Sequence, residues 1–258
     1  MALVGLSLED RIATLTLDRP EARNALSIGL CNEIVAALES IPAEARVVMV
    51  AGSGKVFCSG ADFAAVSGPG GIEFLPAFER MLEAVARFRL PTVAAIQGAA
   101  LGGGLQLATV CDFRIAAADA RLGIPSSRLG IVVNFENVQR LVLLAGIAVA
   151  KEILMAGWTF TGEEAMGAGL VTRAVGPDVL GEEVRSFASQ IAALAPLSVQ
   201  GVKRAIQVTV DHMSAARAAS PERVAEIDAL VTAAYGSRDL QEGIAALADK
   251  RPPDFKGS

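Results

Sequence analysis

At 258 residues the chain can bury one substantial core, or one core plus a helical appendage, and 52% hydrophobic against 20% charged residues suits a compact protein that also covers surface against copies of itself. A net charge of −5 without any run of lysine or arginine argues against a nucleic-acid or anionic-membrane partner. The longest wholly apolar stretch, residues 141–150, lies between Arg140 and Lys151 and is too short to cross a bilayer, so no membrane insertion is expected.

Residues 3–8 and 12–17 alternate as strands around Glu9-Asp10-Arg11, which reads as a hairpin. Ser27 can cap a helix running to about Ser40, and residues 46–50 form a buried strand. The stretch 67–71, Ser-Gly-Pro-Gly-Gly, reads as a mobile loop. Residues 72–89 carry an apolar face at helical spacing that Pro91 ends. A buried strand over 92–97 leads directly into a helix opened by Gly102-Gly103-Gly104, strands follow over 113–116 and 120–124, and 134–144 is helical. From Pro196 onward the pattern is nearly all helix, with breaks near Ser220-Pro221 and Gly236-Ser237. A strand-strand-helix unit thus recurs without a sequence repeat, which makes the chain α/β.

Cys31, Cys58 and Cys111 are odd in number and scattered, as expected of reduced thiols in a cytoplasm. No metal site can be assembled from three cysteines and one histidine so dispersed. Residues 1–8 lack the basic start and apolar core of a signal peptide, and Lys256-Gly257-Ser258 is no peroxisomal address. Gly52-Ser53-Gly54-Lys55 imitates a phosphate loop, but Met49 and Val56 break the pattern at both ends. His212, on the helical C-terminal part, reads as a surface or packing residue, and Trp158 as core packing.

The glycine tract carries the strongest signal. Each glycine in a helix interior costs about 1 kcal/mol relative to alanine, so three in a row need a compensating reason: bare backbone approaching a ligand, or close helix packing. Amides free at a helix start favour negative charge. A second tract, Phe57-Cys58-Ser59-Gly60-Ala61-Asp62-Phe63, has the same strand and tight turn, and the pair resembles the two halves of an oxyanion hole.

With 18–26 (Asp-Arg-Pro-Glu-Ala-Arg-Asn-Ala-Leu), Cys111-Asp112, 125–130, Gln139-Arg140-Leu141, Glu242-Gly243 and Lys250-Arg251 in order, the chain resembles the crotonase (enoyl-CoA hydratase/isomerase) superfamily. The resemblance implies a spiral of ββα units over residues 1–195 and a C-terminal helical region, 196–258, that covers the acyl pocket and builds a homotrimer, often paired into a hexamer. It implies an acyl-CoA thioester as ligand with no permanently bound cofactor. It places the oxyanion hole on the amides of Ala61 and Gly103, and coenzyme A on the backbone of Ala22 and Arg23, on Ser59 and Phe63 beside the adenine, and on Lys250 near phosphate. A further lysine common just after the Ala-Asp turn is replaced here by Ala64 and Ala65.

Catalysis is where the chain departs from the family. The two glutamates that hold water in the hydratases fall at Gln106 and Ser126, which can orient a water but cannot titrate near neutrality. The usual alternative base position is Asn134. Glu136, two residues on, is the leading substitute carboxylate, although its place in a first helical turn is also explained by the helix dipole. Glu73 and Glu79 could reach the site from the preceding loop, and Asp62 reads as a turn acceptor. Two readings stay open: a hydratase or isomerase in fatty acid metabolism using a non-standard base, and an acyl-CoA carrier or sensor that has lost acid and base. The missing glutamates favour the second.

Overall fold

A computed structural model describes residues 2–62, 70–216 and 220–257. The hairpin forms as the alternation predicts: β1 (Val4–Glu9) pairs antiparallel with β2 (Ile12–Leu17), joined by Asp10 and Arg11 at positive φ. β2, β3 (Val47–Gly52), β4 (Thr92–Ile96), β6 (Phe113–Ala117) and β9 (Arg173–Val175) then run parallel, giving a six-stranded sheet ordered β1-β2-β3-β4-β6-β9. Central strands of such a sheet are covered on both faces, which is why β3 and β4 are apolar without alternation.

The triple-glycine helix does not follow β4 directly. A short strand, β5 (Ala99–Leu101), intervenes and pairs with β7 (Arg121–Gly123), which in turn pairs with β8 (Thr159–Thr161) to make a second sheet. The chain alternates between the two sheets and so winds as a spiral. Trp158 is not core: it is 53% exposed in the turn before β8, while Phe160 is the residue of that strand that turns inward.

Ser27 caps α1 (Ile28–Glu39) by accepting from the Leu30 amide, as its sequence position predicts. α2 (Gly70–Ala86) starts within the expected loop, so Gly70 and Gly71 are helical and Ser67, Gly68 and Pro69 lie outside the described residues. α3 (Gly103–Val110) is followed by α4 (Phe135–Leu154), which is capped by Asn134 and broken at Gly146. α5 (Gly162–Gly167) and α6 (Leu180–Ala192) complete the spiral, with α6 packed on the large sheet. Among the described residues the C-terminal part is three helices, α7 (Pro196–Ala216), α8 (Pro221–Tyr235) and α9 (Arg238–Asp249), with breaks where the sequence places them.

Two buried polar anchors fix these elements. Asn24 is fully buried and donates through Nδ2 to the carbonyls of Ser53, Val56 and Phe57, while its Oδ1 accepts from the Arg19 amide. Lys203 of α7 reaches into the core, where Nζ donates to the Leu90 carbonyl at 2.8 Å and to Asp112 Oδ2 at 2.6 Å. All three cysteines are free and buried, and desolvation pushes each thiol up to about 12. Thiols raised this far are protonated near neutral pH. Among the described residues no helix is long and apolar enough to cross a membrane, and no group of three His, Cys, Asp or Glu is placed to hold a metal.

Candidate active site

A cavity of about 1120 Å³ lies between the spiral and the C-terminal helices. Residues of the expected site on its wall are Ala22, Arg23, Ser59, Ala61, Gly103, Gln106 and Ser126. Apolar surface comes from Phe74, Phe78, Leu129, Val132 and Val133, and α8 contributes Val231 and Tyr235. Phe74 and Phe78 stack with ring centroids 5.4 Å apart.

The two amides assigned to the oxyanion hole are free for different reasons. Ala61 pairs with Leu26 as an isolated parallel bridge through its neighbours: Leu26 N–H donates to the Gly60 carbonyl and Asp62 N–H to the Leu26 carbonyl. The Ala61 N–H therefore points away from that pairing. Gly103 is the first residue of α3, where an amide has no acceptor within the helix. Neither amide donates to a backbone or side-chain acceptor among the described residues.

The glycines around them have reasons of their own. Gly102 takes φ 53°, ψ −122°, which a side chain rarely adopts. A Cβ on Gly104 would lie 2.4 Å from the Cys58 carbonyl oxygen, so α3 must approach the second tract closely. A Cβ on Gly103 would crowd Leu26 and Phe78 at 3.1 and 3.2 Å. Packing and conformation thus account for the tract, and the close packing brings the two free amides to one cavity.

Not every expected residue arrives there. Glu136 is exposed in the first turn of α4 and is not on the cavity wall. Lys250 is exposed at the left-handed C-cap of α9, also off the wall. Its neighbour Arg251 lines the cavity and is held in a fork by Glu242, with Nη2 to Oε2 at 2.8 Å. Phe63, Ala64 and Ala65 lie outside the described residues. Asp62 accepts from Arg19 Nη2 at 3.0 Å, an ion pair at the cavity edge. His212 is exposed on α7.

The cavity wall carries the carboxylates of Glu21, Asp62, Asp228 and Glu79, of which Glu79 stands on α2 rather than on a loop; Glu73, on the same helix, is exposed. Glu79 Oε1 accepts from Asn137 Nδ2 at 2.8 Å and from Asn134 Nδ2 at 3.0 Å. Helix capping fixes that polarity: Asn134 Oδ1 is engaged by the Asn137 amide, so its NH₂ group is the one that faces Glu79. Glu79 Oε2 is buried with no hydrogen-bond partner among the described residues, 3.6 Å from Arg140 Nη1. Burial raises the Glu79 pKa, and Glu136 adds to the rise, against the lowering influence of Asn137, Arg140 and Asn134. Tyr235 is pushed up to about 12, first by burial and then by the charge of Glu79. Gln106 Oε1 is a second buried oxygen on this wall without a partner among the described residues. Helical spacing puts many carboxylates near a cavity, so the sequence offers no signal that singles out Glu79.

The fold and this pair of amides over an apolar cavity define an enoyl-CoA hydratase/isomerase type of protein. The chain belongs to that family, the crotonase superfamily, whose enoyl-CoA hydratase/isomerase description matches residues 7–258. A Rhizobium meliloti protein named "Probable enoyl-CoA hydratase" is 36% identical over 255 residues, covering 96% of this chain and 95% of that one. The 2,3-dehydroadipyl-CoA hydratase of Escherichia coli is 33% identical, covering 98% of each. Among solved structures, an enoyl-CoA hydratase/isomerase from Pseudoalteromonas atlantica superposes with a TM-score of 0.84 at 32% identity, covering 98% of this chain and all of that one.

Proposed function

We propose that the chain binds an acyl-CoA thioester and polarises its carbonyl between the amides of Ala61 and Gly103, without efficient addition of water. The single observation that carries this reading is that both amides lack an acceptor among the described residues and line one cavity. When an α-carbon loses a proton or a β-carbon is attacked, negative charge moves onto the thioester oxygen. Donors preset for that oxygen stabilise the enolate, each contributing about 3 kcal/mol. The apolar wall of Phe74, Phe78, Leu129, Val132 and Val133 suits a fatty acyl group.

Coenzyme A would lie along the backbone of Ala22 and Arg23 and against Ser59, with Phe63 and Lys250 as further contacts. Arg251 is the cation better placed for its phosphates, because it is on the wall where Lys250 is not. The thioester is ligand or substrate, with no permanently bound cofactor. The remaining expectations also belong to this proposal: a spiral unit, 1–195, with a helical unit, 196–258; a homotrimer or dimer of trimers; and a cytoplasmic location, which the three free thiols support.

Gln106 and Ser126 stand where a hydratase needs two titrating carboxyl groups. Neither can accept or release a proton near neutrality, so a water held there is positioned but not activated. The alternative reading, an active isomerase or hydratase with a non-standard base, is favoured by one observation, the carboxyl group of Glu79 on the same wall. The test is gel filtration of the protein with a medium-chain 2-enoyl-CoA and with its saturated counterpart, followed by mass spectrometry. Retention of both thioesters with little mass gain matching water is the expected result. Failure to retain either, or rapid hydration, overturns the proposal.

A further inference from the structure

We infer that Glu79, gripped on its Oε1 side by Asn134 and Asn137, is the catalytic residue that takes and returns a proton at the α-carbon of the bound thioester. This rests on the thioester reading above, since it needs the enolate oxygen to be held by Ala61 and Gly103.

Other carboxylates meet the cavity less well. Glu21 and Asp228 are exposed, and Asp62 is paired with Arg19. Glu136 is outside the wall and exposed. Glu79 combines two properties: it lines the cavity, and one oxygen is fixed by two amide donors from the start of α4. A carboxyl group held on a cavity wall by two amide donors has a fixed orientation, which a positioned base requires. Arg140 at 3.6 Å partly offsets the upward push of burial on Glu79, and it is itself shared with Asn137 and Glu83. The charged and titratable groups acting on Glu79 are Arg140 and Glu136 from α4 and Tyr235 from α8.

The step balances within the site. The α-C–H bond breaks, its electron pair passes into the thioester as an enolate whose oxygen the two amides hold, and the Glu79 carboxylate takes the proton as O–H. When the carboxyl proton is swapped for one from solvent before return to the same carbon, the outcome is exchange. Return to the γ-carbon of a 3-enoyl thioester moves the double bond to the 2-position. Neither outcome needs a second acid or a co-reactant other than solvent protons, which matches a wall where Gln106 and Ser126 offer no acid. The substrate class is therefore a thioester that rearranges by proton migration rather than one that gains or loses water. Asn134 and Asn137 are positioning residues: the site at which the family alternative base would stand is here an amide that holds a carboxylate from another helix.

The experiment is deuterium incorporation into a saturated medium-chain acyl-CoA in heavy water, read by mass spectrometry, with binding of the same thioester measured by calorimetry. Wild-type protein should bind and exchange, and Glu79→Gln should bind comparably while exchange falls about a hundredfold or more. Binding without exchange in the wild type overturns the inference and leaves the thioester reading standing. So does exchange that survives in Glu79→Gln, including the case in which Glu136→Gln is the variant that loses it. Absence of binding in the folded wild type removes the thioester reading itself. Should Glu79→Gln fail to fold, the pH profile of Asn137→Ala replaces it: an acid limb displaced to higher pH supports the role of Glu79, and an unmoved limb overturns it.

Discussion

Asn137 Nδ2 donates to Glu79 Oε1 at 2.8 Å, tying the first turn of α4 to the middle of α2. Asn137 is 5% exposed, and its own Oδ1 accepts from Arg140, so the amide is held at both ends. The bond favours the ionised carboxyl group and partly offsets the upward push of burial. Removing it in Asn137→Ala leaves desolvation less opposed and raises the Glu79 pKa further. Proton exchange that needs the carboxylate should then begin at higher pH in the variant, as measured by deuterium incorporation across a pH series.

Gly103 offers a separate test of the amide. Proline is tolerated at the first position of a helix, where its missing N–H has no helical partner. Gly103→Pro should remove the donor, and Gly103→Ala should impose a similar Cβ while keeping it. Loss of one oxyanion donor is worth about 3 kcal/mol. Exchange should accordingly fall about a hundredfold more in the proline variant than in the alanine variant, in a comparison of the two exchange rates.

Water addition should be recoverable. In Gln106→Glu combined with Ser126→Glu, two carboxyl groups are placed on one wall of the cavity. Each such group contributes about a hundredfold or more to a proton-transfer step. Mass gain matching water on a 2-enoyl-CoA should appear in the folded double variant; continued absence would show that the missing carboxylates are not what limits hydration.

Stability depends on the ion pair that joins α7 to the core. Lys203 is 8% exposed and bonded to both Asp112 and the Leu90 carbonyl. Truncation in Lys203→Ala leaves a carboxylate that still accepts from Thr92 but has lost its counter-charge. Breaking a buried pair from one side costs about 3 kcal/mol or more. Denaturant unfolding should show a lower midpoint, with Lys203→Met less affected because it keeps the buried stem.

Acid should release the C-terminal tail before it unfolds the core. Arg251 and the Asp254 amide hold the Glu242 carboxyl group down at about 2, from an ordinary 4.5. A depressed pKa stabilises the folded form above the unfolded value, and that contribution is lost as pH falls from about 4.5 through about 2. Hydrogen exchange at the Asp254 amide should accelerate across this window, and Glu242→Gln should show the fast rate already at neutral pH.

The hairpin, the Ser27 cap, the parallel apolar strands and the three C-terminal helices were legible because each is set by neighbours in the chain. Alternation, a hydroxyl before a helical run and a proline or glycine break need no distant contact to be read. The short strands β5, β8 and β9 were not. Each is only three residues long, too short to show a period, and each exists because a distant strand supplies its partner. Trp158 shows the same limit, since an aromatic beside a strand is buried or exposed according to what covers it.

For the site, the sequence by itself determined the two glycine-bearing tracts and the identities of Gln106 and Ser126, because motif order and residue identity are local facts. Tertiary structure alone decided that Glu79 meets the cavity and Glu136 does not. Glu136 and Asn137 are adjacent, yet a helix turns about 100° between them, so Asn137 is buried against α2 and Glu136 faces out. Glu79 enters because α2 crosses that turn, and no pattern in one helix records which face another helix will present to it.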